Sequence, residues 1–210
     1  QQVAKGKSNV KYPYHISEYA HSMGNSLGNL VDYWKAMESS NYFCGGAIWD
    51  WVDQAMDTYT PSGLKYMGYG GDHGDWPNDG MFCMNGIMLP DLTPKPQYFE
   101  VKKVYQNVGI EADFEHNAVR IFNKNYFTTL RDYLIRWTLV KDGREEKSGE
   151  FIADRSIQGP RTSKLYRLPF NIMDLPNDGE YFLNVELSLG KDMPWAKKGY
   201  VQMSEQLACT

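Results

Sequence analysis

Hydrophobic and polar positions follow two different rhythms along the chain. In the first hundred residues Leu27, Leu30, Val31 and Trp34 recur at i, i+3, i+4 and i+7, the apolar stripe of a helix. A β-prone run, Tyr14 to Tyr19, precedes that stripe across a turn at Gly24-Asn25-Ser26. A second apolar run, Ala47-Ile48-Trp49, follows Gly45-Gly46 and stops at Asp50. Strand, crossover helix and strand in that order predict a parallel βαβ unit. Residues 60–96 are rich in Gly, Pro, Asp and Asn and predict a long irregular loop, a feature that in compact domains is usually functional. Beyond Pro94 and Pro96, the positions of Tyr98, Val101, Lys102, Val104 and Tyr105 predict a short helix.

The period then changes from that of a helix to two. Tyr133, Ile135, Trp137 and Leu139 alternate with other residues, and Asp142-Gly143 supplies a hairpin turn. Tyr181, Leu183, Val185, Leu187 and Leu189 alternate in the same way after Asn177-Asp178-Gly179, while Val119, Ile121 and Leu165 mark further strands. Many short strands with little helix signal predict an antiparallel sandwich. The two expected domains are 1–107 and 108–210.

Composition sharpens this division. Residues 1–100 contain no Arg and are acidic, whereas 101–210 are nearly balanced in charge. Four of the six Trp lie in the first part: Trp34, Trp49, Trp51 and Trp76. The net charge of −4 argues against nucleic-acid binding, which rests on phosphate neutralisation. No run approaches the roughly 20 apolar residues of a membrane span. The cysteines, Cys44, Cys83 and Cys209, are odd in number and argue against a disulfide framework. Cys44 and Cys83 are expected to be small buried residues. The chain opens on Gln1 rather than Met and reads as a piece of a longer protein.

Glu18 is the first candidate for chemistry, because it ends a strand expected to lie in a parallel sheet. Catalytic groups of α/β barrels project from such ends. A carboxylate there can act as nucleophile, base or metal ligand. His21 and Asn25 follow within a short turn, and Trp49 and Asp50 end the next strand. A carboxylate, an imidazole, an amide and an indole on one rim are the parts of a sugar site. His73, within a Gly/Asp loop, reads as a surface residue.

Three segments carry a resemblance that spacing alone does not supply. Glu18-Tyr19-Ala20-His21-Ser22-Met23-Gly24-Asn25-Ser26 resembles the nucleophile motif of β-galactosidases of glycoside hydrolase family 2. Trp49-Asp50-Trp51-Val52-Asp53-Gln54 resembles that family's next strand. Tyr69 to Asp75, Asn78-Asp79 and Phe82-Cys83-Met84-Asn85-Gly86 resemble the loop that follows. Residues 108–210 resemble, more loosely, the immunoglobulin-like domain after the barrel, best at Asn123 to Phe127, Trp137 and Asp142-Gly143. The resemblance implies an α+β, two-part fragment. Its first part would be the last two β/α units of a TIM (β/α)8 barrel, and its second an immunoglobulin-like antiparallel β-sandwich.

It further implies retaining hydrolysis of terminal β-D-galactosides. Glu18 matches the nucleophile, His21 a substrate-hydroxyl contact and Trp49 the galactose-facing indole. Phe82, through its carbonyl, and Asn85 match ligands of a sodium ion. The magnesium that the complete enzyme carries would take its ligands from outside this chain. The family's acid/base lies in an Asn-Glu motif on an earlier strand, and no Asn-Glu dipeptide occurs here. The expected partners are the galactoside, the remainder of the parent polypeptide and further copies in a homo-oligomer, with neither nucleic acid nor membrane. Two alternatives stay open: another family 2 activity such as β-glucuronidase or β-mannosidase, and a non-catalytic carbohydrate-binding or structural module built on 108–210.

Overall fold

A computed structural model describes residues 11–151 and 158–209. The chain divides into two compact units between Tyr105 and Gln106.

In the first unit, β1 (Tyr14–Tyr19), α1 (Leu30–Glu38) and β2 (Phe43–Ile48) form the expected parallel βαβ arrangement. Tyr14 pairs with Phe43, Ile16 with Gly46 and Tyr19 with Ile48. The second strand begins four residues earlier than its apolar run suggested and takes in both glycines. Gly46 is required there, because a Cβ would lie 3.0 Å from the Tyr19 ring. The helical stripe is also shifted. Leu27 is buried but sits ahead of α1 with φ 81°, and Val31 is exposed. The inward face runs instead through Leu30, Trp34 and Met37, since Asn29 in the left-handed region resets the chain before the first turn.

The stretch expected to be a loop contains a hairpin, β3 (Met56–Tyr59) with β4 (Lys65–Gly68). Its strands are short and largely exposed, so they carry no alternating apolar signal. A 3₁₀ turn spans Gly80–Cys83, and α2 (Pro96–Val104) begins, as expected, with proline in its first turn. Tyr19, Leu27, Leu30, Met37, Ile87 and Val101 form the core of this unit. Cys44 is exposed and Cys83 only half-buried, contrary to the expectation of buried thiols.

The second unit consists of two antiparallel sheets that share one core. One sheet joins β5 (Val108–Asp113), β6 (Ala118–Asn123) and β9 (Ser163–Arg167). The other runs in the order β11-β10-β7-β8, comprising β7 (Tyr133–Lys141), β8 (Arg144–Glu150), β10 (Tyr181–Leu189) and β11 (Val201–Ala208). Leu139 faces Leu183, Trp137 faces Val185 and Ile135 faces Leu187 across β7 and β10, and all six are buried. Tyr133, expected inward with them, packs against this core while only partly buried, and its hydroxyl donates to Gln202 at 2.6 Å. Leu165 does lie on a strand, but it faces out while Tyr166 faces the core. The whole of β8, Arg-Glu-Glu-Lys-Ser-Gly-Glu, lacks an apolar residue and is a strand because β7 pairs with it.

Candidate functional site

The rim of the first unit is built where β1 and β2 end together. Side chains alternate along a strand, so Tyr19 and Glu18 point to opposite faces. Tyr19 is buried toward the helices, where its hydroxyl lies 2.5 Å from that of Tyr105 and accepts from Trp34 Nε1 at 3.0 Å. Burial, and then the bond to Tyr19, raise the Tyr105 phenol above its ordinary range. Glu18 is thereby left exposed on the other face.

Main-chain bonds fix Trp49 to this strand end. Its N–H donates to the Tyr19 carbonyl at 3.1 Å, and its own carbonyl accepts from the Ser22 N–H at 2.8 Å. The turn bearing His21 is held in turn by Ser26, whose hydroxyl donates to the His21 carbonyl at 2.6 Å, and by Gln97, whose amide donates to the Gly24 carbonyl at 2.9 Å. Ser22 is fully buried beneath it. His21 and Trp49 are both half-buried. Asn25, considered with them as a rim amide, is exposed.

Residues 50–54 are zipped to 83–88. Asp50 N–H donates to the Asn85 carbonyl at 2.6 Å, Ile87 N–H to the Asp50 carbonyl at 3.0 Å and Met88 N–H to the Trp51 carbonyl at 3.1 Å. Gln54 N–H donates to the Cys83 carbonyl at 2.9 Å. The zipper brings Phe82 beside His21, with ring centroids 5.8 Å apart. The Asn85 side chain is buried, and its Nδ2 donates to the Phe82 carbonyl at 2.9 Å. Its Oδ1 is buried with no hydrogen-bond partner. Buried polar atoms are normally satisfied, so this orphaned oxygen leaves room for a donor or a cation, whereas the Phe82 carbonyl is taken by the nitrogen of the same amide.

Glu18, His21 and Trp49 thus share one strand-end rim, and Phe82 and Asn85 share one turn next to His21. Asp53 and Lys95 are additional residues of this region to which the sequence assigned no task. Asp53 is 3% exposed, accepts from the Gly86 N–H at 2.7 Å and receives Lys95 Nζ at 3.0 and 3.1 Å on its two oxygens. Membership of the Trp-Asp-Trp-Val-Asp-Gln run was the available signal for Asp53. Nothing in the sequence pairs it with Lys95, 42 residues away. His73 is exposed, as expected. Among the described residues no cluster of three or more His, Cys, Asp or Glu stands together as a metal site. In the second unit Trp137 is 6% exposed and cannot present a face to sugar, while Trp195 is exposed.

Comparison with known proteins shows the family of the chain. Residues 1–110 match the family described as glycosyl hydrolases family 2, TIM barrel domain, and residues 119–210 match that described as beta-galactosidase, domain 4. The chain belongs to glycosyl hydrolase family 2 and comprises part of its TIM barrel domain and a β-rich domain. It is 40% identical over 200 residues to a beta-galactosidase of Priestia megaterium, covering 94% of this chain and 19% of the relative. With a beta-galactosidase of Vibrio cholerae the identity is 41% over 194 residues, 92% of this chain and 18% of the relative. The chain therefore spans about a fifth of the length of these relatives. A solved structure of a β-D-mannosidase from Dictyoglomus thermophilum aligns with 85% of this chain and 17% of its own, at 18% identity and a TM-score of 0.32.

Proposed function

We propose that this chain is a segment of a retaining β-galactosidase that carries the nucleophile, Glu18, and not the acid/base. The observation that carries this reading is the joined end of β1 and β2, where Trp49 bonds through its backbone to both Tyr19 and Ser22. Glu18, His21 and Trp49 then belong to one rim, as attack on a bound sugar requires. The β-galactosidase relatives favour a galactoside over other family 2 substrates.

On this reading the Glu18 carboxylate attacks the anomeric carbon as the bond to the leaving oxygen breaks. An acid outside this chain protonates that oxygen. Water then hydrolyses the glycosyl ester, giving up its proton to the same outside group. The two carboxyl groups would stand roughly 5–5.5 Å apart. His21 holds a sugar hydroxyl, and Trp49 offers its indole face to the apolar side of the ring.

The Phe82 carbonyl and the Asn85 amide oxygen would hold a sodium ion once the Asn85 amide turns its oxygen, rather than Nδ2, toward that carbonyl. Both are neutral oxygen donors, which hard cations prefer, and one is buried without a partner. Bound there, sodium would supply a fixed positive charge beside the sugar. Magnesium in the complete enzyme would be held by residues outside this chain.

The same reading makes 1–107 the last two β/α units of an eight-stranded barrel and 108–210 an immunoglobulin-like sandwich. It is supported by the parallel β1-α1-β2 order and by the three- and four-stranded sheets of the second unit. The partners would be a terminal galactoside, the rest of the parent polypeptide and further copies of it. Incubation of the complete enzyme with a 2-fluoro galactoside, followed by peptide mapping, is the test. A covalent label on Glu18 is expected, and a label on any other residue overturns the assignment. Glu18→Gln should lower kcat by several orders of magnitude in a folded protein.

A further inference from the structure

Asp53 is a buried carboxylate that the proposed chemistry does not use. Burying such a group is costly unless it is paired and hydrogen-bonded. Here both oxygens are engaged by Lys95, and Oδ1 also accepts from Gly86, the residue directly after Asn85. The backbone of Asp53 is bonded too, its N–H donating to the Met88 carbonyl at 2.9 Å. Lys95 N–H donates to the Ile87 carbonyl at 3.1 Å. One carboxylate therefore joins the segment after β2, the turn bearing Asn85 and the residue that leads into α2. The approach is closest at Gly86, where a Cβ would lie 2.2 Å from Asp53 N and 2.3 Å from the Val52 carbonyl carbon.

The Phe82 carbonyl and the Asn85 side chain sit on the turn that this pair clamps at its C-terminal end. The Gln54 N–H to Cys83 bond holds the same turn in its middle. The residues that carry both candidate cation oxygens thus sit on a main-chain frame that the Asp53–Lys95 pair locks. We propose that Asp53 and Lys95 are positioning residues for the cation site, setting its affinity for sodium without touching the ion or the sugar. This rests on the reading of Phe82 and Asn85 as cation donors. Residues that orient metal ligands typically change affinity about 10- to 100-fold when replaced.

The test uses the complete enzyme and two readouts at constant ionic strength: the rise in Tm as sodium replaces choline, and the sodium concentration that gives half-maximal hydrolysis. Asp53→Asn and Lys95→Met should each raise the sodium half-point about 10- to 100-fold in both readouts. The loss should fall on the sodium requirement rather than on kcat at saturating sodium. Lys95→Arg, which keeps the charge pair, should restore most of the affinity. Should Asp53→Asn not fold, the contrast between Lys95→Met and Lys95→Arg decides the matter. Variants with a lower Tm but the wild-type sodium half-point would make the pair purely structural and overturn the proposal. A wild type indifferent to sodium in both readouts would overturn the cation reading itself, and this inference with it.

Discussion

Replacing Trp137 by alanine tests whether the second unit rests on the core described for it. Trp137 lies in the middle of β7, is 6% exposed and faces Val185 on β10. Its ring stands 5.3 Å from that of Phe170. On the other side it lies so close to β8 that a Cβ at Gly149 would be 2.8 Å from it. An aromatic side chain buried this way removes roughly 150–250 Å² from water. At about 25 cal/mol per Å², that contributes about 4–6 kcal/mol. Alanine keeps a small part of this, and close strand pairing on both sides hinders collapse of the cavity, so a loss of about 3–5 kcal/mol is expected. The assay is urea unfolding followed by far-UV circular dichroism, with the transition of each unit fitted separately because the chain has two. Phe127→Ala is the control, since Phe127 is 96% exposed and should change stability by no more than about 0.5 kcal/mol. If Trp137→Ala cost less than about 1 kcal/mol, no more than a half-exposed ring would, the shared core would be wrong and a sugar-facing indole would return as a reading.

Gly86→Ala should destabilise the first unit by about 1–3 kcal/mol, because the added Cβ meets backbone rather than a movable side chain; an unchanged urea midpoint would contradict that packing. The Tyr105 phenol is raised by burial and then by its bond to Tyr19, so its stabilising contribution is complete below pH 10 and fades as pH rises through the folded value. Urea midpoints of the first unit should therefore fall above pH 10, and Tyr105→Phe should flatten that fall; equal slopes in both proteins would refute it. The purified 210-residue chain should not turn over a chromogenic β-galactoside, since the proposed reading puts outside it the acid whose help is typically worth about 10²–10⁴-fold. Turnover near that of complete family members would place a second acid within the chain.

What could be read from the sequence follows from which elements are specified locally. β7 and β10 are visible because each buries alternate residues on one face, so Ile135, Leu139, Leu183 and Leu187 repeat at period two. β8 is invisible because its conformation comes from a partner strand and not from its own residues. Leu165 pointed to the right strand but left its inward face open, since a five-residue strand with one buried tyrosine does not fix its own register. The α1 stripe was displaced because Leu27 fits both a helical period and a buried pre-helical turn. At the site, Glu18, His21, Trp49, Phe82 and Asn85 were legible as motif members. The Asp53–Lys95 pair was not, because burial and long-range pairing leave no local pattern.

Main-chain bonds join Trp49 to the strand end and residues 50–54 to 83–88, and this separates chemistry from scaffold. Trp49 is held through its own N–H and carbonyl, and Asn85 through its carbonyl. The side chains of Glu18, His21, Trp49 and Phe82 are exposed or half-buried. Substituting them should therefore leave the frame standing and alter only what it presents. The reverse holds at Gly86 and Asp53, which present nothing to a ligand but fill the contact between the two zipped segments. Surface substitutions usually change stability by less than about 0.5 kcal/mol, whereas strained or unpaired buried positions cost more. A loss of activity at Glu18 with an unchanged urea midpoint, beside a loss of both at Gly86, is the pattern this division demands. Equal destabilisation at the two positions would mean that the Glu18 side chain helps to hold β1 in place, and that its exposed position is not that of a group reserved for substrate.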